Sequence, residues 1–523
     1  MVRETNAEIF GELDEKNKIN WFDLKEKKFL HTIDTFYYSV KLQNDFTANT
    51  VDSGCLELRT FFKEMKARLI YSDDVVNFFC PGMTRNLLVK SGCFDKFYNI
   101  HLQDPKLFDI FIAEIVPPGP EDGSSLTSEI IVQIRSELLW QHGVTRSFEI
   151  TFEFVKAICH FFDLQIEEVK ENRTDFCWHT NYLQKPEKYF MPDRMSDMFV
   201  SRLGRRKAGG TRFFYNYIFY VDGRIENDYI AIGNRGEKCF LRIYNKTKEV
   251  IEMNYKAWFF KEWLFSGLIN RYDYYVLEKC YQENNWGYMA KARLKWYLEY
   301  GKKEFYKKDI RAILDGVVSP APATIEKLAN KLTPKVTTVI NIEYQTMRKL
   351  TKSITVPNLF DNSSKGVARR IYDFLDIRPL MTEYLTHDMF RLVERTEENK
   401  TRCDYNAFWK ALRAAKMIDM EKTPEEIKLI RDYTRNLDAT VVRKRALSAS
   451  ISYSLYVNGL NELSPLEDAA DLFCILNDND IEYMNRVKHK RKKQLNKLLY
   501  NAPIKDKPER NYTIVRNATG EVL

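Results

Sequence analysis

Between Asp228 and Glu249 the chain reads as two β-strands around a glycine-containing turn, Asp228-Tyr-Ile-Ala-Ile-Gly233 and then Cys239 to Lys246. Side chains of a strand alternate between its two faces, so Arg242, Tyr244 and Lys246 share one face. Cations and a phenol lined up on a strand constrain the fold to a sheet with one polar side. The same period of two runs from Gln165 onward. It sets Phe176, Trp178, Thr180 and Tyr182 on one side and Arg173, Asp175, Cys177, His179 and Asn181 on the other. Arg271, Asp273 and Tyr275 are expected on one face of a third strand. Three such strands would build an open polar site on a sheet.

Leu30–Val40 has the β-branched and aromatic content of a further strand. Pro117–Ser125 reads as a loop. Ile130, Ile131, Ile134, Leu138 and Leu139 then fall at helical spacing with Ser128 as N-cap, and Glu149–Phe162 predicts a second helix. These two helices should cover the sheet. Helical patterning returns from Lys291 to Tyr300 and on to Ile310, and Pro320-Ala-Pro322 is taken as a domain boundary. The expected organisation is a peripheral segment 1–25, an α+β catalytic and DNA-binding domain 26–318, a helical domain 319–500 and a flexible tail 501–523. In the helical domain, 405–416 reads as a basic amphipathic helix and 437–456 as a segment with Arg443, Lys444 and Arg445, allowing a helix-turn-helix-like binder.

With 523 residues, 44% hydrophobic and 14% aromatic, the chain can bury more than one core. No run of about eighteen uncharged apolar residues and no basic-then-apolar start is present, which predicts neither a membrane span nor export and makes the cytoplasm the expected location. The nine cysteines show no CxxC pairing, which predicts reduced thiols rather than disulfides or structural zinc. A net charge of +8 is modest, but it is clustered. Arg202, Arg205, Arg206, Lys207 and Arg212 interleave with Phe213, Phe214, Tyr215 and Tyr217, and a second cluster runs from Arg486 to Lys497. Both could track a phosphate backbone, and the rings of the first are available for stacking bases. No GxxxxGK[ST] run is present, so no ATPase is expected.

Arg242-Ile-Tyr-Asn-Lys246, with the preceding Tyr229-Ile-Ala-Ile-Gly233, Arg173-Thr-Asp175 upstream and Arg271-Tyr-Asp273 downstream, resembles the catalytic domain of the Rep_trans family. These are replication initiation factors of rolling-circle plasmids, related to relaxases of conjugative elements. The likeness spans roughly residues 30–315. It implies a nicking endonuclease with a mainly antiparallel sheet, a tyrosine nucleophile and a magnesium or manganese ion, since such cations take carboxylate oxygens. Asp175, Asp273 and His179 are the metal-ligand candidates, although the family more often has glutamate where Asp273 stands. Arg242 and Lys246 are candidates for stabilising transition-state charge, and Arg235 and Tyr244 for contacting DNA. Tyr306, in a basic helix setting, is the candidate nucleophile, with Tyr344 and Tyr300 as alternatives.

The implied function is initiation of rolling-circle replication. The protein would bind double-stranded origin DNA and single-stranded DNA, nick one strand and leave a 3′-OH for a host polymerase working with a host helicase. A homodimer is allowed. A relaxase nicking a transfer origin, a catalytically inactive DNA-binding regulator and an RNA-binding protein are the other readings.

Overall fold

The computed structural model describes residues 20–43 except 24, 26 and 27; 54–71; 76–114 except 93, 95 and 96; 128–184; 198–203; 213–219; 225–253 except 236; 256–351; 371–418; and 446, 449 and 450. The strands are β1 (Phe29–Leu42), β2 (Asn77–Phe78), β3 (Leu87–Lys90), β4 (Ile100–Asp104), β5 (Phe108–Ile112), β6 (Ile130–Ile134), β7 (Ile166–Thr180), β8 (Phe199–Ser201), β9 (Phe213–Phe219), β10 (Ile225–Ile232), β11 (Cys239–Asn245), β12 (Ile340–Met347) and β13 (Phe390–Leu392). Eleven form one sheet in the order β2-β3-β4-β5-β6-β1-β7-β12-β11-β10-β9, and β8 pairs separately with β13. Neighbours in the large sheet are antiparallel. With its helices this is an α+β fold, as the sequence predicts.

Helices α1 (Gly54–Tyr71) and α2 (Ser136–Phe161) follow β1 and β6. After β11 come α3 (Lys246–Glu252), α4 (Trp258–Phe265), α5 (Arg271–Gln282), α6 (Met289–Tyr300), α7 (Glu304–Leu314) and α8 (Pro322–Leu332). The chain then returns as β12 and continues through α9 (Arg348–Thr351), α10 (Ile371–Asp376), α11 (Arg378–Tyr384) and α12 (Ala407–Ala414).

Both faces of the central strands are covered. On one face Phe36 stacks on Phe374 of α10, His31 Nε2 lies 3.0 Å from Thr382 of α11, and Tyr344 donates to the Phe390 carbonyl at 3.2 Å. On the other, α3 to α8 share a core with Phe259, Trp263, Tyr272 and Leu294 almost fully buried. Burying a side chain such as Phe259 contributes up to about 3 kcal/mol, so these packed helices anchor one end of the polar face. No helix among the described residues is long and apolar enough to cross a membrane.

Four expectations are corrected. Ile130–Ile134 is a strand: the run Ile-Ile-Val-Gln-Ile is β-branched, and the helix begins only at Ser136. Arg271–Asp273 opens α5 rather than forming a strand, because Asn270 and Asp273 make a reciprocal capping box. Pro322 is no boundary but the first residue of α8, where its missing N–H costs nothing. The chain beyond it supplies β12 to the middle of the sheet, so no boundary between 26–318 and 319–500 falls at residue 318. Nor is the N-terminal segment wholly peripheral, since Trp21 packs edge-on against Trp296 and accepts from the Tyr272 backbone N–H.

Contacts divide the chain into a unit of 1–352, 367–427 and 517–523, and a second of 353–366 and 428–516. Of the second, only Ala446, Ala449 and Ser450 are described, as helix, with Ser450 Oγ donating to the Ala446 carbonyl. The 117–125 loop, the rest of 437–456, the 486–497 cluster and the 501–523 tail lie outside the described residues.

Candidate active site

Three adjacent strands assemble the site. In the register of β7, β12 and β11, Cys177 pairs with Glu343 and Glu343 with Arg242; one step along, His179 pairs with Asn341 and Asn341 with Tyr244; one step back, Asp175 pairs with Gln345. Directly paired residues share a face. Asp175, Glu343, Gln345, Asn341, Arg242 and Tyr244 therefore stand together on the polar side of the sheet.

Asp175 and Glu343 are 2% and 1% exposed, and a carboxylate that deep needs charged or hydrogen-bonding partners. Arg173 supplies them to Asp175, with Nε 2.8 Å from Oδ1 and Nη2 on Oδ2. Arg242 pairs with Glu343 Oε1, while Glu343 Oε2 accepts from the Tyr244 hydroxyl at 3.0 Å and from Asn341 Nδ2 at 3.2 Å. The two carboxylates remain electrostatically opposed. Burial, and then the Glu343 charge, push Asp175 up to about 6 despite the Arg173 and Arg242 guanidiniums.

Lys246 closes the cluster from the first turn of α3, which Asn245 caps by accepting from Lys248 N. Its ammonium, 2% exposed on the side chain, lies 3.3 Å from both Asp34 Oδ2 and the Tyr244 hydroxyl, and 5.2 Å from the Phe259 ring centre. Asp34 is presented by an irregularity in β1, between the pairs Ile33–Phe176 and Thr35–Asp175. Burial alone would raise its pKa, but Lys246 and Lys256 outweigh that and hold it far below the carboxylate range. Burial and the Glu343 charge push the Tyr244 hydroxyl well above its usual value. Tyr244 therefore needs a base beside it to become a nucleophile at neutral pH, and Glu343 is in place.

Arg242, Lys246, Tyr244 and Asp175 are brought together as expected, although Lys246 belongs to a helix rather than to the strand. His179 is near them but unsuited to metal. Trp263 Nε1 donates to its Nδ1 at 3.1 Å, so the neutral ring carries its proton on Nε2, which leaves no ring lone pair for a cation. Burial lowers its pKa to about 3 and keeps the ring neutral. Asp273 is a structural carboxylate. It takes Lys25 Nζ at 2.8 Å, Thr337 N at 3.0 Å and Asn270 N at 3.3 Å, all within the helix-cap setting of α5.

The tyrosines sort by place. Tyr344 points to the opposite face of β12 and is fully buried. Tyr306 on α7 and Tyr300 at the end of α6 border a groove with Trp296 and Lys331. Arg235 is exposed in the β10–β11 turn, and Arg202 pairs with Asp388 at 3.1 Å. Arg205, Arg206, Lys207 and Arg212 lie outside the described residues.

Sequence reasoning missed Glu343 and Asp34. The signal for Glu343 was present, since Ile340-Asn-Ile-Glu-Tyr-Gln-Thr-Met347 alternates apolar and polar residues with period two.

Among the described residues no group of three or more His, Cys, Asp and Glu side chains is arranged to hold a metal ion. The oxygen donors do fit a hard cation at a smaller carboxylate count. Gln345 Oε1 and Asn341 Oδ1, the same-face neighbours of Glu343, are both buried without a hydrogen-bond partner. Two opposed carboxylates flanked by uncommitted amide oxygens suit magnesium or manganese better than a soft metal.

No family model matches this chain, and no curated protein does. Among solved structures, a rolling circle replication initiator protein from Geobacillus stearothermophilus matches over 74% of this chain and 95% of its own, at 10% identity and a TM-score of 0.30. At that identity and score the likeness assigns no activity to this chain.

Proposed function

We propose that this protein nicks one strand of DNA by transesterification through Tyr244 and thereby initiates rolling-circle replication. The supporting observation is the Tyr244 hydroxyl seated on the buried carboxylate of Glu343, opposite a second buried carboxylate and ringed by Arg173, Arg242 and Lys246. Glu343 Oε2 takes the phenol proton as Oη attacks phosphorus; the P–O3′ bond breaks with its electron pair on O3′, which takes a proton from water, giving a 5′-phosphotyrosyl enzyme and a free 3′-OH. Lys246, 3.3 Å from the hydroxyl, offsets the charge of the developing phenolate, and Arg242 and Arg173, paired with Glu343 and Asp175, would bring positive charge to the phosphate oxygens. A magnesium or manganese ion held by Asp175 and Glu343, with Gln345 Oε1, would polarise those oxygens as a Lewis acid. Tyr244 thus takes the role that sequence position suggests for Tyr306.

Origin duplex, exposed single strand and a host polymerase extending the 3′-OH, with a host helicase, are the partners this chemistry requires. A relaxase would run the same step at a transfer origin. The inactive-regulator reading rests on aspartate at position 273, where the family more often has glutamate, and on the absence of a motif that isolates the nucleophilic tyrosine; Glu343 as second carboxylate, with Tyr244 beside it, weighs against both grounds.

The test is to incubate the full chain and manganese with single-stranded or supercoiled DNA of its own element, then map the covalent adduct by peptide mass spectrometry. An adduct on the peptide containing Tyr244, absent from Tyr244→Phe, supports the proposal. An adduct on Tyr306, or none on DNA that the protein binds, overturns it.

A further inference from the structure

The basic segment Lys302–Lys308 and its tyrosine take no part in the carboxylate site, yet they border a groove of about 480 Å³. That groove forms because α6 stops abruptly at Tyr300. At Gly301 a Cβ would stand 2.4 Å from the Tyr297 carbonyl oxygen and 2.7 Å from its ring, so only glycine lets the chain turn directly over Tyr297. The turn sets Lys302, Lys303 and Tyr306 beside Lys331 of α8, with Trp296 and Tyr300 completing the aromatic lining.

The lining is chemically one-sided. It holds three exposed lysines and no carboxylate. Lys331 Nζ stands 5.1 Å from the Tyr306 ring centre, and Tyr300 is 39% exposed. Trp296, only 6% exposed, lies beneath the lining, packed by Trp21, Phe22 and Tyr300. Flat rings beneath a rim of cations match a planar, anionic ligand.

We propose that this groove binds a nucleotide segment of single-stranded DNA, with a base against the Tyr300 and Tyr306 rings and phosphates on Lys302, Lys303 and Lys331. The choice of DNA over another aromatic anion rests on the strand-nicking function proposed above. A free nucleotide offers the same chemistry for one unit but not the run of phosphates that three separate lysines can engage.

The experiment uses the full chain in EDTA, so that binding is read without cleavage. A twelve-residue oligodeoxythymidine carrying 5-iodouracil is titrated, photo-crosslinked and mapped, with dTMP as competitor. The expected crosslinks fall between Trp296 and Tyr306. Lys302→Glu with Lys303→Glu and Lys331→Glu should lower affinity at least tenfold and flatten the log–log salt slope by about two, as for three lost single-strand phosphate contacts. Crosslinks confined to other peptides with unchanged affinity of the lysine variant would overturn the proposal, and so would dTMP competing as well as the oligomer. Groove binding without a Tyr244 adduct would sink the nicking reaction alone; the adduct without groove binding would sink the groove alone.

Discussion

The Tyr244 hydroxyl and Glu343 Oε2 are 3.0 Å apart across neighbouring strands. The contact joins the one phenol on the polar side of β11 to a carboxylate that also holds Arg242. Glu343→Gln keeps the shape and an acceptor but removes the base. Nicking should fall about 10²- to 10⁴-fold while binding of the same DNA changes little, as read by product quantification beside a binding isotherm.

Asp175 must be ionised to hold a cation, and its pKa of about 6 places that event just below neutrality. Metal affinity should therefore drop as pH falls from 7 to 5, with proton release on binding near pH 6, measured by calorimetry in buffers of different ionisation heat. A pH-independent affinity over that range would remove Asp175 from the metal set.

Stability carries the opposite sign for the same group. Asp175 rises from 3.8 to about 6 on folding, so its contribution is full below pH 3.8 and is lost as pH rises through 6, by up to about 3 kcal/mol. His179 falls from 6.5 to about 3, so its contribution is full above 6.5 and is lost as pH falls toward 3. The two oppose each other between pH 4 and 6. The difference between Asp175→Asn and wild type isolates the first: thermal denaturation should favour the variant progressively from pH 4 to 7.

Lys246 and Asp34 are a buried pair 3.3 Å apart. Lys246 also pairs with Glu249 at 2.8 Å, so Lys246→Met, which leaves Asp34 buried without the cation that pairs with it, should cost on the order of 3–5 kcal/mol and Asp34→Asn less. The double variant should lose less than the sum, which a denaturant double-mutant cycle would measure. Strict additivity would mean that the pair does not couple.

Asp273→Asn should lower stability by about 1–2 kcal/mol through the capping box and the Lys25 pair. It should leave nicking per folded molecule and metal affinity unchanged. Loss of metal binding in that variant would restore Asp273 as a ligand.

Local patterning made much of this legible. The alternation around Asp175, the β10–β11 hairpin with Arg242 and Tyr244, and the helix from Met289 to Tyr300 follow from period and propensity within a few residues. Pairings across long sequence separations did not show. Glu343 lies 168 positions after Asp175, and nothing local says which strand β12 will join. Asn270-x-x-Asp273 was a visible helix-start signal, passed over because Arg-x-Asp also fits a strand. Ile130–Ile134 satisfies both periods, and β-branching decides it. His179 alternates correctly, yet its role turns on which ring nitrogen meets Trp263.

Strand β12 reaches the centre of the sheet only after all of α3 to α8 has been made. During synthesis, β7 and β11 must wait with an unfilled place between them, and a nascent or truncated chain ending before residue 343 has Tyr244 without the Glu343 carboxylate and Asp175 without its opposing charge. Under the proposed reaction, the capacity to cut would therefore arrive only with the last central strand.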